Sequence, residues 1–97
     1  MYTWKIKNVN VYNNYDNLTD VVYLVNYFIE YDEPGVGGST LDDKQEVSTS
    51  DLSNFTPFDD LTESVVIGWV KDALGTDGVT QKETEAKNIL NTSVKTL

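Results

Sequence analysis

The sequence contains neither cysteine nor histidine. Without cysteine there are no disulfides and no thiolate metal sites, so the chain cannot be a small disulfide-stapled scaffold. Without histidine it lacks the commonest general base and metal ligand, and the two absences together remove the Ser-His and Cys-His nucleophile systems. Arginine is missing too, since all seven basic residues are lysines. A binder of phosphate or carboxylate normally uses the bidentate guanidinium fork, and this chain has none. No apolar run approaches the roughly 20 residues of a membrane-spanning helix. The opening Met1-Tyr2-Thr3-Trp4-Lys5 reads as strand rather than signal peptide, so a soluble protein made and folded in a cytoplasm is expected.

What is present is enough for one core. The 97 residues fit a single domain spanning 1–97, and 39% of them are apolar, too many for a disordered chain. The net charge of −9 is unevenly placed. In residues 1–29, Lys5 and Lys7 balance Asp16 and Asp20; in 64–97 four lysines balance Asp72, Asp77, Glu83 and Glu85. The excess lies in 30–63, which holds ten of the sixteen acidic residues and only Lys44. Such a block repels nucleic acid and anionic lipid and suits basic partners; the plainer reading is a solvated surface that keeps the protein in solution.

Carboxylates are therefore the only candidates for chemistry. Asp42–Asp43 and Asp59–Asp60 are adjacent in sequence, so on extended backbone each pair splits to opposite sides instead of converging. Asp59, Asp60 and Glu63 could offer oxygens to calcium, but their spacing matches no EF-hand, and acidic residues at a helix start have a structural reason of their own. Gly35, Gly37 and Gly38 lack the Gly-Lys-Ser/Thr ending of a phosphate loop. No catalytic residue, cofactor or metal is expected, and enzyme activity is not expected.

Tyr2, Trp4 and Ile6 alternate with polar residues, the period of a strand with one face buried. Val9 and Val11 fall on the other parity, which calls for either a bulge near Lys7–Asn8 or a strand covered on both sides. Asn13 to Asn17 form a turn cluster. Within Leu18 to Tyr31 the odd positions from Val21 onward are all apolar or aromatic, predicting a long central strand with Val21, Tyr23, Val25, Tyr27, Ile29 and Tyr31 on the core. Pro34 to Gly38 break it, and a charged edge strand is expected over Thr40–Thr49. Phe55 and Phe58 flank Pro57 and are expected to tuck over the core.

Thr62 is a good helix N-cap, with Leu61 and Val66 placed as a staple. Val65, Val66, Trp69, Val70, Ala73 and Leu74 follow at helical spacing, and Gly75 supplies a stop. Thr80 and Glu83 suggest a second capping box before a helix carrying Ala86, Ile89, Leu90, Val94 and Leu97. Glu83 and Lys87 stand in the favourable order for a helix ion pair. Trp4 and Trp69 are assigned to the core, and the tyrosines within reach of solvent are Tyr12 and Tyr15 by the first turn and Tyr31 at the strand end. The predicted fold is α+β: a three-stranded antiparallel β-meander over 1–49, with two C-terminal α-helices over 62–97 packed on one face.

The stretch Phe55-Thr56-Pro57-Phe58-Asp59-Asp60-Leu61-Thr62-Glu63, running into Ile67-Gly68-Trp69-Val70-Lys71-Asp72-Ala73-Leu74-Gly75, resembles an uncharacterised family of small tailed-phage proteins, common in phages of marine bacteria and cyanobacteria. Tyr2 to Ile6 and Val21 to Tyr27 are similar to that family's first two strands. The proline-bearing C-terminal tail of the family is missing here, and 32–50 diverges. The resemblance implies a phage source, and no activity or site residue comes with it. A non-enzymatic protein is expected, working by protein–protein contact in the virion or its assembly, located in the host cytoplasm or the virion. The alternative is an acidic host-takeover or anti-defence protein whose carboxylates imitate nucleic acid on a basic site. Either way the partner is a protein, phage structural or basic host, rather than nucleic acid or membrane. Asp42, Asp43, Glu46, Asp59 and Asp60 are the candidate contact residues.

Overall fold

Alternation of apolar and polar residues organises the first half of the chain, and a computed structural model describes residues 1–47, 56–93 and 95–97. Strand β1 (Tyr2–Tyr15) pairs antiparallel with β2 (Leu18–Glu33), and β2 with β3 (Gly37–Glu46), in the order β1-β2-β3. Asp16 (φ 50) and Asn17 (φ 64) make the first turn, both in the left-handed region that a two-residue hairpin with type I′ geometry demands and that Asp and Asn tolerate. The turn is thus two residues long, and Asn13 and Asn14 belong to the strand. Strands of this length run about 50 Å at roughly 3.3 Å per residue, in keeping with a longest dimension of 54 Å.

The parity change in β1 is a bulge: the register with β2 shifts between Ile6 and Asn8. A second shift, between Asn10 and Val11, moves the phase on β2. Consequently Val22, rather than Val21 or Tyr23, joins Val25, Tyr27, Ile29 and Tyr31 in the main core with Trp4. The odd-position rule holds from Val25 onward and fails at the bulge, because one extra residue reverses every side chain beyond it.

The helical half differs from expectation. Among the described residues there is one α-helical element, α1 (Glu63–Ile89), where two separate helices are expected from the sequence. Gly75 still breaks the helical dihedrals (φ 73, ψ 170), but only that residue leaves them, so helical structure resumes at once rather than at Thr80. Thr80 lies inside α1, where its carbonyl accepts from the Thr84 hydroxyl at 2.9 Å. The N-terminal cap is as expected, with Val65 N–H donating to Thr62 Oγ1 at 3.3 Å. Val66, Val70 and Ala86 are the residues α1 buries against the sheet.

The bend at Gly75 folds the two arms of α1 over the same indole. Residues 71 and 83 of a straight helix would be about 18 Å apart along its axis. Yet the Lys71 ammonium lies 5.2 Å from the Trp4 ring centroid, and Trp4 Nε1 donates to Glu83 Oε2 at 2.9 Å. The second arm then runs along β3, with the Ser39 hydroxyl donating to the Ala86 carbonyl at 2.6 Å.

Other placements differ too. The helix ends at Ile89, so Leu97 is exposed, Ile89 is 38% exposed, and Val94 lies outside the described residues. Phe58, on a single 3-10 turn (Phe58–Asp60), is 42% exposed rather than tucked over the core; Phe55 lies outside the described residues. Tyr31, on the core face of β2 but within reach of solvent at the strand end, is buried against Tyr2 at 4.9 Å between ring centroids. Trp69 is only partly buried and packs against the core, whose buried indole is Trp4 of β1. Strand β3 begins at Gly37 and ends at Glu46, and the expected continuation to Thr49 falls outside the described residues.

Candidate functional site

The hairpin of β1 and β2 outruns the core. On β1 nothing beyond Val11, and on β2 nothing before Val22, belongs to the main apolar cluster. The arm that continues carries its own small assembly: Tyr12 stacks on Tyr23 at 4.3 Å and on Tyr15 at 5.2 Å between ring centroids. Val21 is buried to 2% exposure on this arm, away from the main cluster, while Tyr12 and Tyr15 remain 43% and 38% exposed. By alternation from Val11, which faces the core, Tyr12 occupies the face opposite the helix. Rigid, amphipathic tyrosines with little rotamer entropy are the side chains that protein contacts favour. The sequence puts Tyr12 and Tyr15 within reach of solvent, but only the second bulge brings Tyr23 beside them.

The five predicted contact residues do not come together. Asp42 and Asp43 project to opposite faces of β3: Asp42 meets Lys7 at 3.2 Å on the outer face, and Asp43 meets Lys82 of α1 at 2.6 Å on the helix face. Glu46 is exposed at the end of β3, and Asp59 and Asp60 are exposed on the 3-10 turn. Glu30, also in the acidic block, lies 3.5 Å from Lys5. Glu63 turns its carboxylate to the Ile6 N–H at 3.1 Å, closing part of the β1 edge. Three of the block's ten carboxylates thus meet lysines from the first and last thirds of the chain, a pairing that a linear charge count does not show.

The Asp43–Lys82 pair is the most enclosed of these. Burial pushes the Asp43 carboxyl up, but hydrogen bonds from Lys82 and the Lys44 backbone, with their charges, hold it below the usual aspartate value. The Lys82 ammonium is raised, first by its hydrogen bond to Asp43. The carboxyl's lowered value adds stability that is present above the unfolded aspartate value and fades as pH falls through the folded one. The ammonium's raised value adds stability that fades only as pH rises past the usual lysine range. Asp43→Asn should therefore cost about 1–2 kcal/mol at neutral pH, between exposed and buried ion pairs, and nearly nothing in strong acid. Urea melts at the two pH values check this.

Beside that pair lies Tyr27, 1% exposed, whose hydroxyl has no hydrogen-bond partner among the described residues. Burial, then the charge of Asp43, pushes its pKa up to about 12. The hydroxyl stays neutral in the fold, so its contribution is complete below pH 10 and lost as pH rises toward about 12. An unpaired buried hydroxyl costs roughly 1–3 kcal/mol. Tyr27→Phe keeps the ring stacked on Trp4 at 5.4 Å and removes that cost. It should raise stability by about 1 kcal/mol and flatten the alkaline limb of the stability profile. A fall instead would mean that a bound water satisfies the hydroxyl.

A cleft of about 300 Å³ opens between the β2–β3 turn and the end of α1, lined by Tyr31, Glu33, Val36, Lys87, Leu90 and Asn91 among others. Its charged groups are already engaged. Tyr31 donates to Glu33 Oε1 at 2.9 Å, a bond that raises the phenol's pKa, and Lys87 lies 5.9 Å from the Tyr31 ring centroid instead of pairing with Glu83. Among the described residues no three acidic side chains converge as metal ligands, and no helix is long and apolar enough to cross a membrane.

Fold and surface together define a small α+β domain, a three-stranded antiparallel sheet with one bent helix laid on one face and a hairpin arm extending past it. The chain belongs to the DUF7936 family, a domain of unknown function, which matches residues 1–96. Comparison with curated proteins and with solved structures finds no match.

Proposed function

We propose that this chain is a non-enzymatic phage protein that works by binding another protein, as a component of the virion or of its assembly, and that the hairpin arm is its contact element. The phage source rests on the resemblance carried by the Pro57-to-Trp69 stretch. The observation that carries the contact reading is the ladder of Tyr12, Tyr15 and Tyr23, partly exposed on an arm that the helix and main core do not reach. An element ordered beyond what the core requires, and tipped with aromatic rings, is suited to docking.

The acidic block supports the nucleic-acid-mimic alternative less well. A mimic needs a row of carboxylates open to a basic site, whereas Asp42 and Asp43 point apart and each meets a lysine. Two comparisons test the reading. Mass spectrometry of purified particles should find the protein at fixed stoichiometry. Affinity capture from infected cells should recover a partner with wild type and lose it with Tyr12→Ser/Tyr15→Ser, while Asp59→Asn/Asp60→Asn retains it. The opposite pattern would return the acidic block to first place.

A further inference from the structure

We propose that the uncharged half of β1, residues 8–15, pairs antiparallel with the same strand of a second copy of the chain. The proposal rests on the arm being a contact element and names the occupant of its edge.

Strand β1 lies at the edge of the sheet, so half its backbone groups turn away from β2. Met1 and Asp32 exchange both backbone hydrogen bonds, which makes Tyr2, Trp4 and Ile6 the residues whose groups face outward. That end is guarded: Glu63 accepts from Ile6 N–H, and Lys5 and Lys7 add charge. The far edge, β3, carries Asp42, Lys44 and Glu46. Charges and covering side chains are how proteins keep sheet edges from pairing. The run Asn8-Val9-Asn10-Val11-Tyr12-Asn13-Asn14-Tyr15 has neither charge nor proline, and all of it except Val9 and Val11 is exposed. Eight residues offer about 27 Å of open edge, longer than an average strand.

Two features select a second copy as the occupant. A chain of net charge −9 repels its own copies over most of its surface, and this edge is a segment where two can meet without opposing charges. The segment is also self-complementary. A two-fold axis perpendicular to the sheet keeps Asn8, Asn10, Tyr12 and Asn14 on one face and Val9, Val11 and Asn13 on the other, so like meets like. A two-stranded ribbon is marginal on its own in water, and such pairing turns two ribbons into one four-stranded layer.

Sedimentation equilibrium on the purified chain across a wide concentration range tests this. Wild type should shift from the 10.9 kDa monomer to twice that mass. Asn10→Lys/Asn14→Lys and Asn10→Glu/Asn14→Glu should each weaken association at least about tenfold, because like charges face each other across the pair. An equimolar mixture of the two should restore it. Asn8 still accepts from Asn26 at 2.6 Å in both variants, and circular dichroism should report an unchanged fold. A wild-type chain that stays monomeric, or a dimer indifferent to both variants, overturns the proposal. If the monomer loses its captured partner only in the charged variants, the edge receives an extended segment of another protein. That result removes the second copy and leaves the contact reading standing.

Discussion

Replacing Trp4 by alanine should cost about 3–5 kcal/mol, the range for truncating a large core aromatic. The indole is 8% exposed, stacked on Tyr27, hydrogen-bonded through Nε1 to Glu83, and faced by Lys71. Its loss opens a cavity between sheet and helix, strands the part-buried Glu83 carboxylate, and removes the surface on which both arms of α1 rest. A domain this small has a net stability toward the low end of 5–15 kcal/mol, so the variant should be largely unfolded at physiological temperature. Trp4→Phe, which keeps a ring but no N–H, should lose only about 1–2 kcal/mol. Chemical denaturation of the three proteins checks the order. A Trp4→Ala loss under about 1 kcal/mol would mean that the helix is not held by this residue.

Gly75→Ala should cost about 1–3 kcal/mol, because φ 73 with ψ 170 belongs to a region only glycine enters freely. Nothing lies within 4 Å of the Cβ that alanine would add, so the penalty is one of backbone conformation and not of space. Gly68 supplies the control. It sits in the same element with equally open surroundings and no positive φ, so Gly68→Ala should stabilise by roughly 0.5–1 kcal/mol through helix propensity. Opposite signs at two glycines seven residues apart are the expected result. Equal effects would mean that α1 is not bent at Gly75.

Where a single local rule decides, the sequence shows the structure. Alternation places the strands, Thr62 caps the helix, and odd positions from Val25 to Tyr31 find the core. Where a rule depends on phase, it fails one step later: the bulge at Lys7 shows in the parity of Val9 and Val11, but the second shift leaves no such mark, and with it goes the Tyr23 stack. The helix shows the same limit. Gly75 reads as a stop, but only tertiary contact reveals that the chain re-enters helix at the next residue to reach Trp4. Charge was legible as composition and misleading as geography, because Lys5, Lys7 and Lys82 reach the acidic block only after folding. The arm itself could not be read, since its exposure depends on where the helix ends its cover.

The most direct test of the contact account is site-specific photo-crosslinking in infected cells, with benzoylphenylalanine placed at Tyr12 in one variant and at Glu46 in another. Both positions are exposed, and they separate the aromatic arm from the acidic block. Adducts to a different protein from Tyr12, and none from Glu46, are expected. Adducts from Glu46 alone would contradict the contact reading.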